Sequence, residues 1–88
     1  EGYSLSQNYP NPFNPTTNIS FSVPEESNVE LSIFDISGRL VQNIINNAKY
    51  VQGVYSVKFD GSNLPSGMYY YRLKTKDYIE TRKMVLMK

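Results

Sequence analysis

Residues 18–33 read NISFSVPEESNVELSI, and the period of this stretch decides the fold. Ile19, Phe21 and Val23 alternate with Ser20 and Ser22. After a Pro-Glu-Glu turn, Val29, Leu31 and Ile33 alternate with Glu30 and Ser32. A β-strand points successive side chains to opposite faces, so each half reads as a strand with one face on a core and one in water. The inward set is β-branched, aromatic or leucine, as pleated half-buried surfaces prefer.

The same period recurs along the chain. Tyr55, Val57 and Phe59 alternate with Ser56 and Lys58, and Tyr69, Tyr71 and Leu73 alternate with Tyr70 and Arg72. Residues 40–45 (LVQNII) alternate poorly, and Leu40 with Ile44 would also suit a helical turn; their place between strands favours a strand. Residues 78–87 end in MVLM, apolar on both faces. That segment reads as a strand covered on both sides near its end, or as one carrying a bulge.

Turn residues separate the runs. Pro24 to Asn28 closes the first strand, and Gly38 falls where a hairpin needs positive φ. Residues 60–67 (DGSNLPSG) form a longer loop, with Pro65 and Gly67 suited to positions i+1 and i+3 of a type I turn. Six strands and a lead-in predict an all-β fold, an antiparallel immunoglobulin-like β-sandwich of about seven strands. The expected organisation is a single domain over residues 1–88, with 1–8 as linker and lead-in and 9–88 as the sandwich.

Composition removes several functions. The chain has no cysteine and no histidine, so disulfides, thiolate metal sites and the commonest general base are all absent. Its formal net charge of +1 predicts no strong pull on nucleic acid or anionic membrane. No apolar run is long enough to span a bilayer, and no signal peptide is visible at Glu1, so the chain reads as a piece of a longer protein. The carboxylates Glu1, Glu25, Glu26, Glu30, Asp35, Asp60, Asp77 and Glu80 are scattered over turns and outer faces, without the paired spacing an acid–base site needs. No calcium-loop or phosphate-loop motif is present, and no cofactor is expected.

Eight tyrosines leave one binding alternative open. Tyr3, Tyr9, Tyr50, Tyr70 and Tyr78 lie off the expected core faces, and a coplanar pair would stack on sugar rings in a carbohydrate-binding or adhesive module. A passive spacer is a further alternative. Lys74, Lys76, Lys83 and Lys88 crowd the C-terminal hairpin, where lysine on an edge strand blocks sheet-to-sheet aggregation.

Residues 7–17 read QNYPNPFNPTT. Proline fixes φ, extends the residue before it and cannot donate to a ladder, so this segment is stiff and cannot be a central strand. Asn side chains close local turns onto the backbone, which leaves Phe13 as the anchor of a plug over one open end of the core.

Three blocks in order carry a family resemblance. They are NPFNP at Asn11, Pro12, Phe13, Asn14 and Pro15; P-x-G-x-Y at Pro65, Gly67 and Tyr69; and K-x-x-x-x-K at Lys83 and Lys88. Together, over residues 5–88, they resemble the type A C-terminal sorting domain of the type IX secretion system of Bacteroidetes and related phyla. The chain is also similar to the immunoglobulin-like domain of flagellar hook-capping proteins, where a tryptophan is usual at the position of Phe59.

The sorting resemblance implies a seven-strand sandwich that serves as a non-catalytic address. Its implied partners are the outer-membrane translocon, a sortase-like peptidase and a cargo domain N-terminal in the same chain. The implied destination is secretion or the cell surface. Translocon recognition would then fall on Gly67, Tyr69, Lys83 and Lys88. Gly67 lets the chain enter its strand tightly, Tyr69 locks that strand to the core, and the lysines face an acidic receptor. An exposed final strand would also be free to add to a receptor's sheet edge.

Overall fold

The computed structural model describes residues 2–88. Seven strands form in chain order: β1 (Ser4–Leu5), β2 (Thr16–Val23), β3 (Ser27–Phe34), β4 (Leu40–Tyr50), β5 (Gly53–Asp60), β6 (Gly67–Lys74) and β7 (Ile79–Leu86). They make two antiparallel sheets, one ordered β1-β2-β5 and the other β4-β3-β6-β7. The all-β immunoglobulin-like sandwich read from the alternation is the observed architecture.

Each sheet turns one alternating set of side chains inward. From the three-stranded sheet come Leu5, Ile19, Phe21, Val23 and Phe59; from the four-stranded sheet come Val29, Leu31, Ile33, Tyr71, Leu73 and Met84. The 24–28 turn therefore does not close a hairpin. It carries the chain from one sheet to the other, so β2 pairs with β5 and β3 with β4 and β6. Gly38 sits at φ 88° in the β3–β4 hairpin, as the turn requires.

Two irregular segments resolve differently. Residues 40–45 belong to a strand that runs on to Tyr50, along the sheet edge. Its register against β3 shifts at three places and Asn47 has φ 56°, so bulging breaks the period of two and only Ile45 is fully buried. At the other edge, β7 pairs with β6 in unbroken register and carries no bulge. Met84 and Leu86 enter the core, Val85 is half-buried and Met87 is 60% exposed, so the MVLM run is not covered on both faces.

Residues 1–8, read from the sequence as linker and lead-in, include part of the folded body. Ser4–Leu5 pair with Ser22 and Phe21, and Leu5 and Asn8 are buried. Tyr3 stacks on Tyr78 with ring centroids 5.1 Å apart. Tyr78 donates to the Glu80 carboxylate. Burial, and then this carboxylate, push the Tyr78 phenol up to about 12 from 10.0. Burial also raises Tyr71. Both phenols hold their protons more tightly folded than unfolded, so their contribution is fully present below pH 10, and that of Tyr78 is lost as pH rises through about 12. Urea titrations are expected to show flat stability from neutrality to about pH 9.5, then a decline, and the decline should shrink in Tyr78→Phe.

Candidate functional site

The three sequence blocks lie side by side in the structure. β6 starts at Gly67 and β7 ends at Leu86, so antiparallel pairing sets Gly67 against Leu86, Met68 against Val85, Tyr69 against Met84 and Tyr70 against Lys83. P-x-G-x-Y and K-x-x-x-x-K thus occupy adjacent strands. The NPFNP block lies along the other side of β7, where Phe13 bridges Leu86 in parallel.

That third placement follows from backbone chemistry. An edge strand leaves alternate N–H and C=O groups without partners. Here the Phe13 N–H donates to the Val85 carbonyl and the Met87 N–H donates to the Phe13 carbonyl, both at 2.9 Å. Asn11 Oδ1 accepts from the Val85 N–H at 3.0 Å, and Gln7 Nε2 donates to the Lys83 carbonyl at 2.7 Å. The edge from Lys83 to Met87 is therefore occupied by the chain's own lead-in, and a receptor strand cannot pair there while it is in place. This corrects the expectation of an open final strand.

Phe13 is 1% exposed and meets Phe59 edge-on at 6.1 Å. Pro15 accepts from the Gly61 N–H at 2.8 Å. A Cβ on Gly61 would lie 3.1 Å from Leu86 and 3.4 Å from Phe13, so this glycine permits the close approach of the plug. The peptide bonds before Pro10, Pro12 and Pro15 are cis.

Tyr71 fixes the near end of the lead-in. Its side chain is fully buried in the core, yet its hydroxyl donates to the Ser6 carbonyl at 2.7 Å and accepts from the Asn8 N–H at 2.8 Å. Asn8 in turn donates through Nδ2 to the Pro10 carbonyl and to Thr17 Oγ1. Neither Asn8 nor the polar role of Tyr71 was legible in the sequence, because alternation marks Tyr71 only as apolar core.

P-x-G-x-Y is a local latch. The Tyr69 hydroxyl donates to the Pro65 carbonyl at 2.6 Å, and Tyr69 is 6% exposed. Gly67 has φ 150°, backbone that favours glycine, with open space where a Cβ would stand. The hydrogen-bonded turn of this loop lies earlier, where the Leu64 N–H meets the Gly61 carbonyl. A second latch of the same spacing opens β5, where the Tyr55 hydroxyl donates to the Val51 carbonyl at 2.6 Å across Gly53. The repeated pattern, VQGVY and PSGMY, was available in the sequence as a signal. Gly67→Ala is expected to cost about 1 kcal/mol through backbone strain alone, and Tyr69→Phe about 1 kcal/mol through the lost hydrogen bond; urea denaturation checks both.

Lys83 and Lys88 occupy different settings. Lys83 is exposed on the outer face of the four-stranded sheet, opposite Tyr70. Lys88 folds back onto the 60–67 loop, its N–H donating to Ser66 Oγ at 3.0 Å and its Nζ to the Ser62 carbonyl at 2.6 Å. Among the described residues, no three acidic, histidine or cysteine side chains are grouped to hold a metal.

Residues 7–87 match the family described as the secretion system C-terminal sorting domain, the tail of type IX secretion cargo. The chain belongs to this family. No curated protein and no solved structure matches it. The sorting domain is a secretion signal and not an enzyme. Its family ties it to the type IX translocon and to an extracellular destination.

The tyrosines that left carbohydrate binding open are disposed otherwise in this sorting domain. Tyr3 and Tyr78 cover each other's faces, and Tyr50 packs against Phe21 and Tyr55. Tyr9 is 79% exposed and Tyr70 is half-buried beside Lys83. Among the described aromatic pairs, none is an exposed coplanar platform.

Proposed function

We propose that the β6–β7 hairpin is the element the type IX translocon reads, with Gly67 and Tyr69 shaping it and Lys83 and Lys88 offering charge to an acidic receptor. The observation that carries this reading is the adjacency of the three family blocks at one sheet edge. Solvent-facing lysines contribute little to folding, so a motif built on them favours contact with a partner. Charge complementarity of this kind acts mainly on specificity and association rate.

The cargo lies N-terminal in the same chain and crosses the outer membrane with the domain attached. A sortase-like peptidase then removes the domain, in the linker before Tyr3, and the cargo is released or joined to the cell surface. The test joins residues 1–88 to a folded periplasmic reporter in a type IX-competent host and in a translocon-deficient one. Protease accessibility on intact cells and the mass of the exported reporter are read. The expected result is surface or medium reporter only in the competent host, shortened by the domain. Reporter held in the periplasm of both hosts, with the domain folded, overturns the reading.

A further inference from the structure

A strand in a sandwich shows a partner only one of its two faces, and Tyr69, which defines one of the sorting motifs, is on the wrong one. Tyr69 is buried between the sheets and out of reach of any receptor, as are Met84 and Leu86, two of the unspecified positions between Lys83 and Lys88. The alternate positions Met68, Tyr70, Lys83 and Val85 face outward instead. Met68 and Val85 pair across β6 and β7, and Tyr70 pairs with Lys83. The row continues inward, since Tyr70 pairs with Phe34 and Phe34 with Leu40. Leu40, Phe34, Tyr70 and Lys83 therefore form one line across all four strands, roughly 14 Å wide at the usual strand spacing.

This line is apolar with a cationic end. Leu40 is 52% exposed and Met68 41%. Phe34, Tyr70 and Val85 are half-buried. The Arg72 guanidinium lies 4.8 Å above the Phe34 ring and is engaged by Glu30 at 3.8 Å, so its charge is already matched. Lys83 has no carboxylate within ion-pair distance among the described residues, and neither has Lys74 on the same face. The outer face of this sheet thus carries unneutralised positive charge beside exposed apolar side chains. An isolated domain gains nothing in stability from either feature.

We infer that this outer face, centred on Phe34, Leu40, Met68, Tyr70 and Val85 and bordered by Lys83, is the surface that docks on the translocon. The inference rests on the proposed recognition by the translocon and assigns it to Lys83 together with residues the motifs do not specify. The partner that fits is a protein surface with an apolar centre and carboxylates opposite Lys83. The other motif residues on these strands and the lead-in act behind it as positioning residues. Gly67, Tyr69 and the lead-in hold β6 and β7 in the register that sets Met68 beside Val85 and Tyr70 beside Lys83.

The test uses the same reporter fusion in the competent host. Met68→Ser/Val85→Ser removes the apolar centre, and Lys83→Glu reverses the border charge. Val54→Ser/Lys58→Glu makes the matched change on the outer face of the other sheet, where Val54 is 80% exposed. Thermal melts of the purified domains check that each variant folds, and Lys83→Arg serves as the conservative rescue. Each face variant is expected to lower export by about tenfold or more, with the matched control and Lys83→Arg close to native, because burying a like charge or losing the apolar contact acts at the docked surface. Folded face variants exported as well as native overturn the inference while leaving the sorting reading in place. Equal loss in the face variants and the matched control also overturns it. A native domain that fails to export in the competent host removes the sorting reading, and this inference with it.

Discussion

Phe13→Ala is expected to remove about 3–5 kcal/mol of folding free energy, the cost of deleting a fully buried aromatic side chain and leaving its cavity. The reason is position. Phe13 is 1% exposed, packs edge-on to Phe59 and lies against Gly61 and Leu86. Its own backbone also pairs with Val85 and Met87. A domain of this size has roughly 5–15 kcal/mol in all, so the loss takes a large part of the total. Tyr9→Ala is the natural comparison, four residues away and 79% exposed, with little change expected. Urea denaturation of both variants, read by tyrosine fluorescence, makes the measurement. Equal, small effects would mean that the lead-in is not a structural plug.

Tyr71→Phe should cost about 2–3 kcal/mol although it deletes a single oxygen, because a buried donor is left without a partner. The phenol holds the Asn8 N–H and the Ser6 carbonyl together, and Asn8 is 2% exposed. Phenylalanine keeps the packing, so the loss is confined to the hydrogen bonds. Amide exchange gives the sharper readout. Asn8, Phe13 and Met87 should exchange faster in the variant, while the β3 amides keep their protection. Uniform acceleration across the sandwich would point instead to a general core defect.

The fold was legible in the sequence wherever the period of two held. Ile19, Phe21 and Val23, and Val29, Leu31 and Ile33, could be placed inward because a strand buried on one face cannot slip by one residue. The period failed at β4, where bulges against β3 interrupt it, and it was masked at β7, where outward Val85 and the following Met87 are as apolar as the core residues Met84 and Leu86. Phe13 was identified as an anchor because prolines on both sides excluded a strand. Its landing place was not legible, since its partners Val85 and Leu86 are 72 and 73 residues away in the chain. A separation of 63 residues hid the pairing of Tyr71 with Asn8 in the same way. The turn at 24–28 was legible as the end of β2 but not as a sheet crossover, because the turn residues of a hairpin and of a crossover are alike.

The site divides in the same way. The three blocks could be read one by one, but their adjacency depends on the β6–β7 register and on the lead-in returning along β7. Sequence spacing placed Lys83 and Lys88 in one motif. The structure separates them, with Lys83 on the open sheet face and Lys88 tied to Ser62 and Ser66. A stiff segment that covers an edge strand also gives a physical reason for the prolines. It shields the edge of β7 from pairing with other chains.

The measurement that bears most directly on the account is export of the folded reporter fused to the native domain, or to Lys83→Ala/Lys88→Ala, at matched melting temperature in the competent host. The account predicts that the native fusion reaches the surface or the medium and that the lysine variant stays folded in the periplasm. Export of the lysine variant at the native rate would contradict it.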